Sequence, residues 1–187
     1  HPYNIKEFNE KIQEMTKNLL QKSKTQKNYS LSPGVIYNLN DTSFKNYGFT
    51  GFYNYGLKLA TAHVKTKLLK NSVYNLDEHC FYDDTEFDQL MMLVCKTLCY
   101  FPLPIYNYYM TRSGQSTSVQ SYKLHFYDQE KVTLRLINEY ENAKLEEGIA
   151  YNIYNSLVIQ ICIWHYRNAT LFRTSKKFRR CSSNRKL

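Results

Sequence analysis

Three features of the sequence predict a mostly α fold that is stapled by disulfide bonds and contains an internal duplication. Apolar residues recur at spacings of three and four in several segments, as in amphipathic helices. Cys80 and Cys99 are nineteen positions apart, and so are Cys162 and Cys181. With 187 residues, 43% of them hydrophobic, the chain can form one packed core or two small ones. The alternative is an α+β fold with N- and C-terminal helices around an antiparallel sheet.

The first helix is predicted over residues 3–23, where apolar positions repeat between lysines and glutamates. These positions are Ile5, Phe8, Ile12, Met15 and Leu19. Residues 30–43 include Pro33-Gly34 and Asn40-Asp41, which favour turns and loops. From Phe52 to Leu68 the spacing fits a helix and the alternation fits a strand, so both interpretations stay open.

The second helix is predicted to begin at Asp83 and Asp84, which precede an apolar run and form an N-cap signal. Its apolar positions extend from Phe87 to Leu98, and the prolines that follow are expected to end it. Residues 101–121, which contain proline, tyrosine and serine, are expected to form an irregular connection.

Asp128 is a candidate cap for a third helix, and a hairpin across residues 124–136 is the competing interpretation. The turn of that hairpin would lack glycine, which weakens it. Gly148 interrupts the pattern, and residues 149–172 then predict the most apolar helix. Four of its residues are expected to face the core: Ile153, Leu157, Ile161 and Trp164.

Both cysteine blocks carry a tyrosine soon after the first cysteine, Tyr82 in one and Tyr166 in the other. Aligning Cys80 with Cys162 makes each copy a helix, a cysteine, a helix and a second cysteine. If each copy closes its own bond, Cys95 is left as a candidate free thiol, and the connectivity stays open. Residues 1–44 then form an N-terminal helix and loop, and residues 45–104 form the first Cys-Tyr-Cys repeat. Residues 105–127 form a connection, and residues 128–187 form the second repeat with a basic tail.

Two further features favour a secreted glycoprotein with disulfide bonds. Sequons occur at Asn28, Asn40 and Asn168, and a chain that starts at His1 without a methionine looks processed. No apolar run of about 18 residues is present, so the sequence predicts no membrane span.

The net charge of +9 is concentrated in residues 173–187, which hold seven basic residues and no acidic one. We call this segment the basic tail. Its basic residues include Arg173, Lys176, Lys177, Arg179 and Arg180. A segment of this composition suits nucleic acid or an anionic surface.

The sequence contains no recognisable motif for catalysis or for a cofactor. His79 and Cys80 follow two acidic residues and resemble a metal cluster, but the paired spacing of zinc ligands is lacking. Nothing in the spacing of His63, His125 and His165 brings two of them together as the acid and base of a nuclease. The sequence therefore predicts no catalytic residue, no metal site and no cofactor.

The cysteine pattern resembles the bicycle family of aphid secreted effectors, which is named for two cysteine–tyrosine–cysteine motifs. The matching positions lie within residues 74–181 and are Cys80, Tyr82, Cys99, Cys162, Tyr166 and Cys181. Cys95 is additional to the pattern. The resemblance implies a non-enzymatic salivary protein that is delivered into plant tissue, is linked to gall formation and binds an unknown host macromolecule.

A second resemblance supplies the alternative function. An N-terminal amphipathic helix, a β-rich middle and a long C-terminal helix are similar to the mite group 7 allergens and related lipid carriers. This resemblance implies a secreted carrier that holds a hydrophobic ligand in a curled sheet. It depends on strands at residues 45–70 and 118–138.

Overall fold

The computed structural model describes residues 10, 13–14, 17–18, 21, 27–28, 30–48, 59–72, 74–107, 109, 115–116 and 118–173. The helices are α1 (Thr66–Lys70), α2 (Asp83–Val94), α3 (Val119–Leu124), α4 (Phe126–Ala143) and α5 (Ile149–Arg173). The strands are β1 (Lys27–Asn28), β2 (Ile36–Asn38), β3 (Tyr47–Gly48) and β4 (Thr97–Cys99), and Thr42–Phe44 forms a short 3-10 helix. The prediction of a mostly α fold is confirmed.

Helices α2, α4 and α5 pack around a single hydrophobic core. In α4 and α5 buried apolar residues recur at spacings of about three and four, so each of these two helices turns one face inward, while α2 buries the consecutive residues 90–92. The core residues of the three helices include Leu90, Met92, Val132, Leu136, Ile137, Ile149, Ile153, Val158 and Ile161. Helices α4 and α5 run antiparallel, because Phe126 contacts His165 while Leu136 accepts a hydrogen bond from Tyr154.

Residues 30–48 cover one side of this core through Leu31, Tyr37 and Leu39. Backbone bonding fixes the position, since the N–H of Ala150 donates to the carbonyl of Leu39 at 2.7 Å. The side chain of Asn152 donates to the carbonyl of Phe44 at 2.9 Å. Segments that the sequence analysis separated therefore share one core.

The strands form two small ladders. β2 pairs antiparallel with β4, with Ile36 opposite Cys99 and Asn38 opposite Thr97. β1 pairs in parallel with β3. The β2–β4 ladder attaches the chain after α2 to the segment that covers the core.

Helix α2 differs from its prediction at both ends. The cap position is Tyr82, in the left-handed region at φ 73°, and Asp83 is the first helical residue, so the predicted N-cap was wrong. The helix ends at Val94 because Cys95 is extended and the next residues pair with β2, so Leu98 lies in a strand. The acidic residues of the first turn still complement the helix dipole.

The two segments whose secondary structure was open do not form the proposed strands. Residues 119–124 and 126–143 are helical, so the hairpin interpretation was wrong and the helix is confirmed. In the described part of 45–70, the regular elements are the two-residue strand β3 and the short helix α1. A carrier of the second resemblance would require strands where α3 and α4 lie.

The predicted duplication is not repeated in the secondary structure of the described residues. Cys80 lies in a loop before α2, whereas Cys162 lies within the continuous helix α5. The predicted order of helix, cysteine and helix was therefore wrong for the second copy. The long C-terminal helix itself is confirmed, with Ile153 and Ile161 buried and Leu157 and Trp164 packed against the core.

The predicted N-terminal helix is described only on its polar side. Residues Glu10, Gln13, Glu14, Lys17, Asn18 and Gln21 are helical and exposed. The predicted apolar stripe lies outside the described residues. Within the part of the chain that the structure describes, no helix is long and apolar enough to cross a membrane.

Candidate binding site

The predicted cysteine pairs are not joined in the structure. Cys80, Cys95, Cys99 and Cys162 are free thiols, and Cys181 lies outside the described residues. Cys162 is buried in the core, and burial raises the pKa of its thiol to about 12. Burial likewise raises the pKa of Cys80 to about 11, with a smaller contribution from Asp128. Both thiols are therefore mostly protonated at neutral pH and react slowly.

The two motif tyrosines have different environments. Tyr82 is buried, with its ring parallel to Tyr122 at a centroid distance of 6.2 Å. Trp164 meets both rings edge-on, at 5.4 and 5.2 Å. Tyr166, by contrast, is 42% exposed on α5. Tyr82 therefore has a packing role, while Tyr166 is available to a partner.

A network of ion pairs ties the loop before α2 to α4. The guanidinium of Arg135 contacts the carboxylate of the buried Glu86 and lies 3.3 Å from that of Asp77. Lys131 lies 2.9 Å from Asp77, and this hydrogen bond raises the pKa of the lysine. The backbone N–H of Asp77 donates to Glu86 at 2.9 Å. These charges hold the loop in place and are already paired with one another.

The histidines do not converge on a common site. His125 stacks on Phe81 with ring centroids 3.4 Å apart and contacts Asp128 at 3.0 Å. His165 is buried beside Phe126, and burial lowers its pKa to about 4. Among the described residues, no group of three or more His, Cys, Asp or Glu side chains is arranged to hold a metal ion.

The sequons differ in accessibility. Asn40 is exposed in the turn before the 3-10 helix. Asn168 is 5% exposed, and its amide donates to Gln129 at 3.1 Å. Asn28 belongs to β1, and its side chain is not described. Of the basic tail, only the backbone of Arg173 is described, as the last residue of α5. Lys176, Lys177, Arg179 and Arg180 lie outside the described residues.

An apolar strip on the surface was not predicted as a site. We define the apolar strip as Phe101, Leu103, Ile105, Tyr106 and Tyr109. Each of these side chains is more than half exposed, and Tyr109 reaches 79%. Soluble proteins rarely expose contiguous apolar side chains unless the surface binds something.

The backbone of residues 101–105 in the strip is held by two consecutive tight turns. The N–H of Leu103 donates to the carbonyl of Phe101 at 2.8 Å, and that of Ile105 to Leu103 at 2.9 Å. A proline, Pro102 or Pro104, is central to each turn, and its fixed φ suits an inverse γ-turn. Residues 101–105 of the strip therefore form an extended segment with a two-residue repeat.

The strip continues onto the β2–β4 ladder. The N–H of Gly34 donates to the carbonyl of Tyr100 at 2.9 Å, which places residues 34–36 beside the start of the strip. Val35 and Ile36 are exposed, and Ile36 reaches 73%. The exposed apolar surface is therefore built from two segments that are distant in sequence.

No protein-family model matches the chain. No curated protein and no solved structure matches it either.

Sequence reasoning missed the apolar strip because apolar character alone does not separate core residues from exposed ones. The alternation Phe-Pro-Leu-Pro-Ile at 101–105 was the signal that could have found it. Two prolines spaced in this way exclude a helix and a central strand. The apolar side chains between them therefore do not belong to a helix or strand that would bury them in the core.

Proposed function

We propose that this chain is a secreted, non-enzymatic effector that binds a protein of a plant host through the apolar strip. The exposure of five large apolar side chains between Phe101 and Tyr109 carries the binding part of the proposal. Delivery by an insect and the link to gall formation rest on the Cys-Tyr-Cys spacing alone.

The environment of the reactive groups favours binding over covalent chemistry. The thiols of Cys80 and Cys162 have raised pKa values and are poor nucleophiles at neutral pH. Arg135 is engaged with carboxylates on its own chain, and His165 is buried. A catalytic site would instead bring an activated nucleophile and its base together at an accessible position.

The chemistry of the strip favours a protein partner with an apolar groove. Its aliphatic and aromatic side chains are of the kind that fill pockets at the centre of protein interfaces. The prolines restrict the backbone before binding, so little conformational entropy is lost on association. They also remove backbone donors and so discourage open-ended pairing with further strands. The partner is therefore expected to receive an extended segment.

Photo-crosslinking followed by affinity measurement tests the binding part. The photoreactive residue p-benzoylphenylalanine replaces Tyr109 in one protein and Lys45, an exposed residue outside the strip, in a control. Host tissue extract is irradiated with each, the crosslinked protein is identified and purified, and its Kd is measured directly. The triple variant F101S/L103S/I105S is expected to bind at least tenfold more weakly than the unaltered chain.

The matched control for the triple variant is Leu124→Ser, which changes another well-exposed apolar residue. This variant is expected to keep the affinity of the unaltered chain. Equal affinity for the triple variant would show that the strip is not the binding surface. Crosslinks to RNA instead of protein would favour a nucleic-acid partner.

Delivery is tested without reference to the strip. Peptides of this chain are sought by mass spectrometry in insect saliva and in the plant tissue at feeding sites. Their presence in both would support the effector proposal. Their presence only inside insect cells would remove secretion and host delivery, whatever the strip binds.

A further inference from the structure

We propose that the apolar strip is recognised by an aromatic-lined groove of the partner, which donates hydrogen bonds to the carbonyls of Pro102 and Pro104. Pairing of the strip with a strand of the partner is the mode that this excludes. The inference rests on the proposed function and deepens it, because it specifies the chemistry of the partner's surface. It follows from how backbone donors and acceptors are distributed along residues 101–105.

Residues 102–105 have no backbone donor to offer a partner. Pro102 and Pro104 have no N–H. The N–H of Leu103 donates to Phe101 and that of Ile105 donates to Leu103, so the two remaining donors are used within the strip. A strand that pairs with a neighbour presents N–H groups as well as carbonyls along its edge. The strip therefore lacks the donors that strand pairing requires.

The carbonyls of the two prolines are open acceptors. Pro102 and Pro104 are exposed, and among the described residues no donor bonds to either carbonyl. A carbonyl that is covered without a hydrogen bond is costly, so a partner that covers these two must bring donors of its own. The indole N–H and the tyrosine O–H are donors carried by aromatic rings. An aromatic lining therefore supplies both the apolar contact and the donors.

The side chains of the strip suit such a lining. The exposed prolines alternate with Phe101, Leu103 and Ile105, each of which is more than half exposed. Aromatic-lined grooves are the surfaces by which proteins receive proline-containing segments. Because the proline φ is fixed before binding, the partner orders little additional backbone. The order of side chains along residues 101–105 therefore matches a groove that contacts rings and aliphatic groups in turn.

The strip carries no charge. From Thr97 to Thr111 the sequence contains no acidic or basic residue. Charged groups across an interface steer association and make it dependent on ionic strength. Recognition of the strip should therefore change little with salt, whereas binding to nucleic acid through basic residues would weaken steeply.

The test compares proline variants of the full chain against the purified host protein that p-benzoylphenylalanine at position 109 crosslinks. In P102A/P104A each alanine removes one ring and restores one backbone N–H. This variant is expected to bind roughly fivefold more weakly or worse, because ring contacts and the restricted backbone are lost. An affinity equal to or higher than that of the unaltered chain would overturn the groove, since the restored donors would then serve strand pairing.

The matched control is Pro33→Ala, which changes an exposed proline outside the strip and is expected to keep the original affinity. Thermal unfolding of both variants checks that the fold is retained. The triple variant F101S/L103S/I105S separates the two proposals. Full affinity in the triple variant would remove the strip as the binding surface and the proposed function with it. Weak binding of the triple variant beside normal binding of P102A/P104A would remove the groove alone.

The donors of the groove are tested on the partner. The tryptophans and tyrosines of the crosslinked peptide are replaced by phenylalanine, which keeps a ring but removes the donor. These replacements should weaken binding by roughly threefold or more, and unchanged affinity would overturn the donor part of the proposal. The Kd should also change by less than about twofold between low and ~0.5 M salt. A steep loss of affinity with salt would assign recognition to basic residues instead of the strip.

Discussion

Arg135 on α4 contacts the carboxylate of Glu86 on α2, although the Glu86 side chain is fully buried. Burial raises the pKa of Glu86, while the backbone N–H of Asp77 and the Arg135 guanidinium act in the opposite direction. The two helices are thus joined at a point where an unpaired charge would be costly.

We expect Arg135→Met to lower the free energy of unfolding by about 3–5 kcal/mol at pH 7, because it leaves a buried carboxylate without its cation. The pKa of Glu86 is already raised and should rise further in this variant. A group with a raised folded-state pKa destabilises the fold as pH increases, so the loss should be smaller at pH 4. Urea unfolding of both proteins at pH 4 and pH 7 measures the loss of stability at each pH.

The double variant E86Q/R135M serves as the control for the ion pair. It removes both charges and should be more stable at pH 7 than Arg135→Met alone. A loss in Arg135→Met that did not change between pH 4 and pH 7 would contradict the role of Glu86.

The stability of the protein should fall between pH 6.5 and pH 4 because of His165. Burial lowers the pKa of this side chain from 6.5 to about 4, so the folded state binds its proton only in acid. A depressed folded-state pKa gives stability that is present above the unfolded value and is lost as pH falls. The shift corresponds to about 3 kcal/mol across this range. The replacement His165→Phe should make stability depend less on pH between pH 6.5 and pH 4. An unchanged slope of stability against pH in this variant would argue against the role of His165.

The sequons should be used unequally in a secretory host. Asn40 is exposed in a turn, so Asn40→Gln is expected to remove one glycan from the mass of the folded protein. Asn168→Ala should leave the glycan mass unchanged, since Asn168 is buried against Gln129. It should instead cost about 1–3 kcal/mol of stability, because it leaves Gln129 without its partner. A glycan found on Asn168 in folded protein would contradict this packing.

Gly148 permits close contact between α5 and the N-terminal segment. A Cβ at this position would lie 3.0 Å from the carbonyl oxygen of Asp41, which is backbone and cannot rotate away. We expect Gly148→Ala to lower the free energy of unfolding by about 1–3 kcal/mol. Gly34→Ala is a contrasting variant, with open space around the new methyl but a φ of 75°, and should cost about 1–2 kcal/mol through backbone strain. Thermal unfolding distinguishes both from the unaltered chain, and a neutral Gly148→Ala would contradict the close contact.

The sequence predicted α4 and α5 because each helix is long enough for its apolar period to be distinct. The end of α2 was missed for a tertiary reason. Leu98 continues the helical spacing, but it pairs with Tyr37 in β2, and that pairing depends on a segment far away in the chain. The cap of α2 was missed because Tyr82 adopts a left-handed backbone conformation, which is uncommon for tyrosine and so is not expected from the sequence.

The candidate sites were only partly predictable. Equal cysteine spacing indicated a repeat, but spacing does not reveal that Cys162 faces the core while Cys80 lies in a loop. The basic tail was visible from composition, whereas the contact of Asp77 with Arg135 requires the loop before α2 to be folded against α4. Neither Arg135 nor Glu86 stands out in the sequence, because the ion pair joins two helices whose packing is not encoded locally.

The short link between α4 and α5 has a consequence for how the protein assembles. Residues 144–148 close an antiparallel helical hairpin whose contacts are near in sequence, and such contacts form quickly because little loop-closure entropy is lost. The bond from Ala150 to Leu39, by contrast, joins distant residues. We therefore expect the hairpin to form early and residues 30–48 to attach late. Residues 30–48 should then exchange their amide hydrogens faster than α4 and α5, and proteases should cut them before those helices.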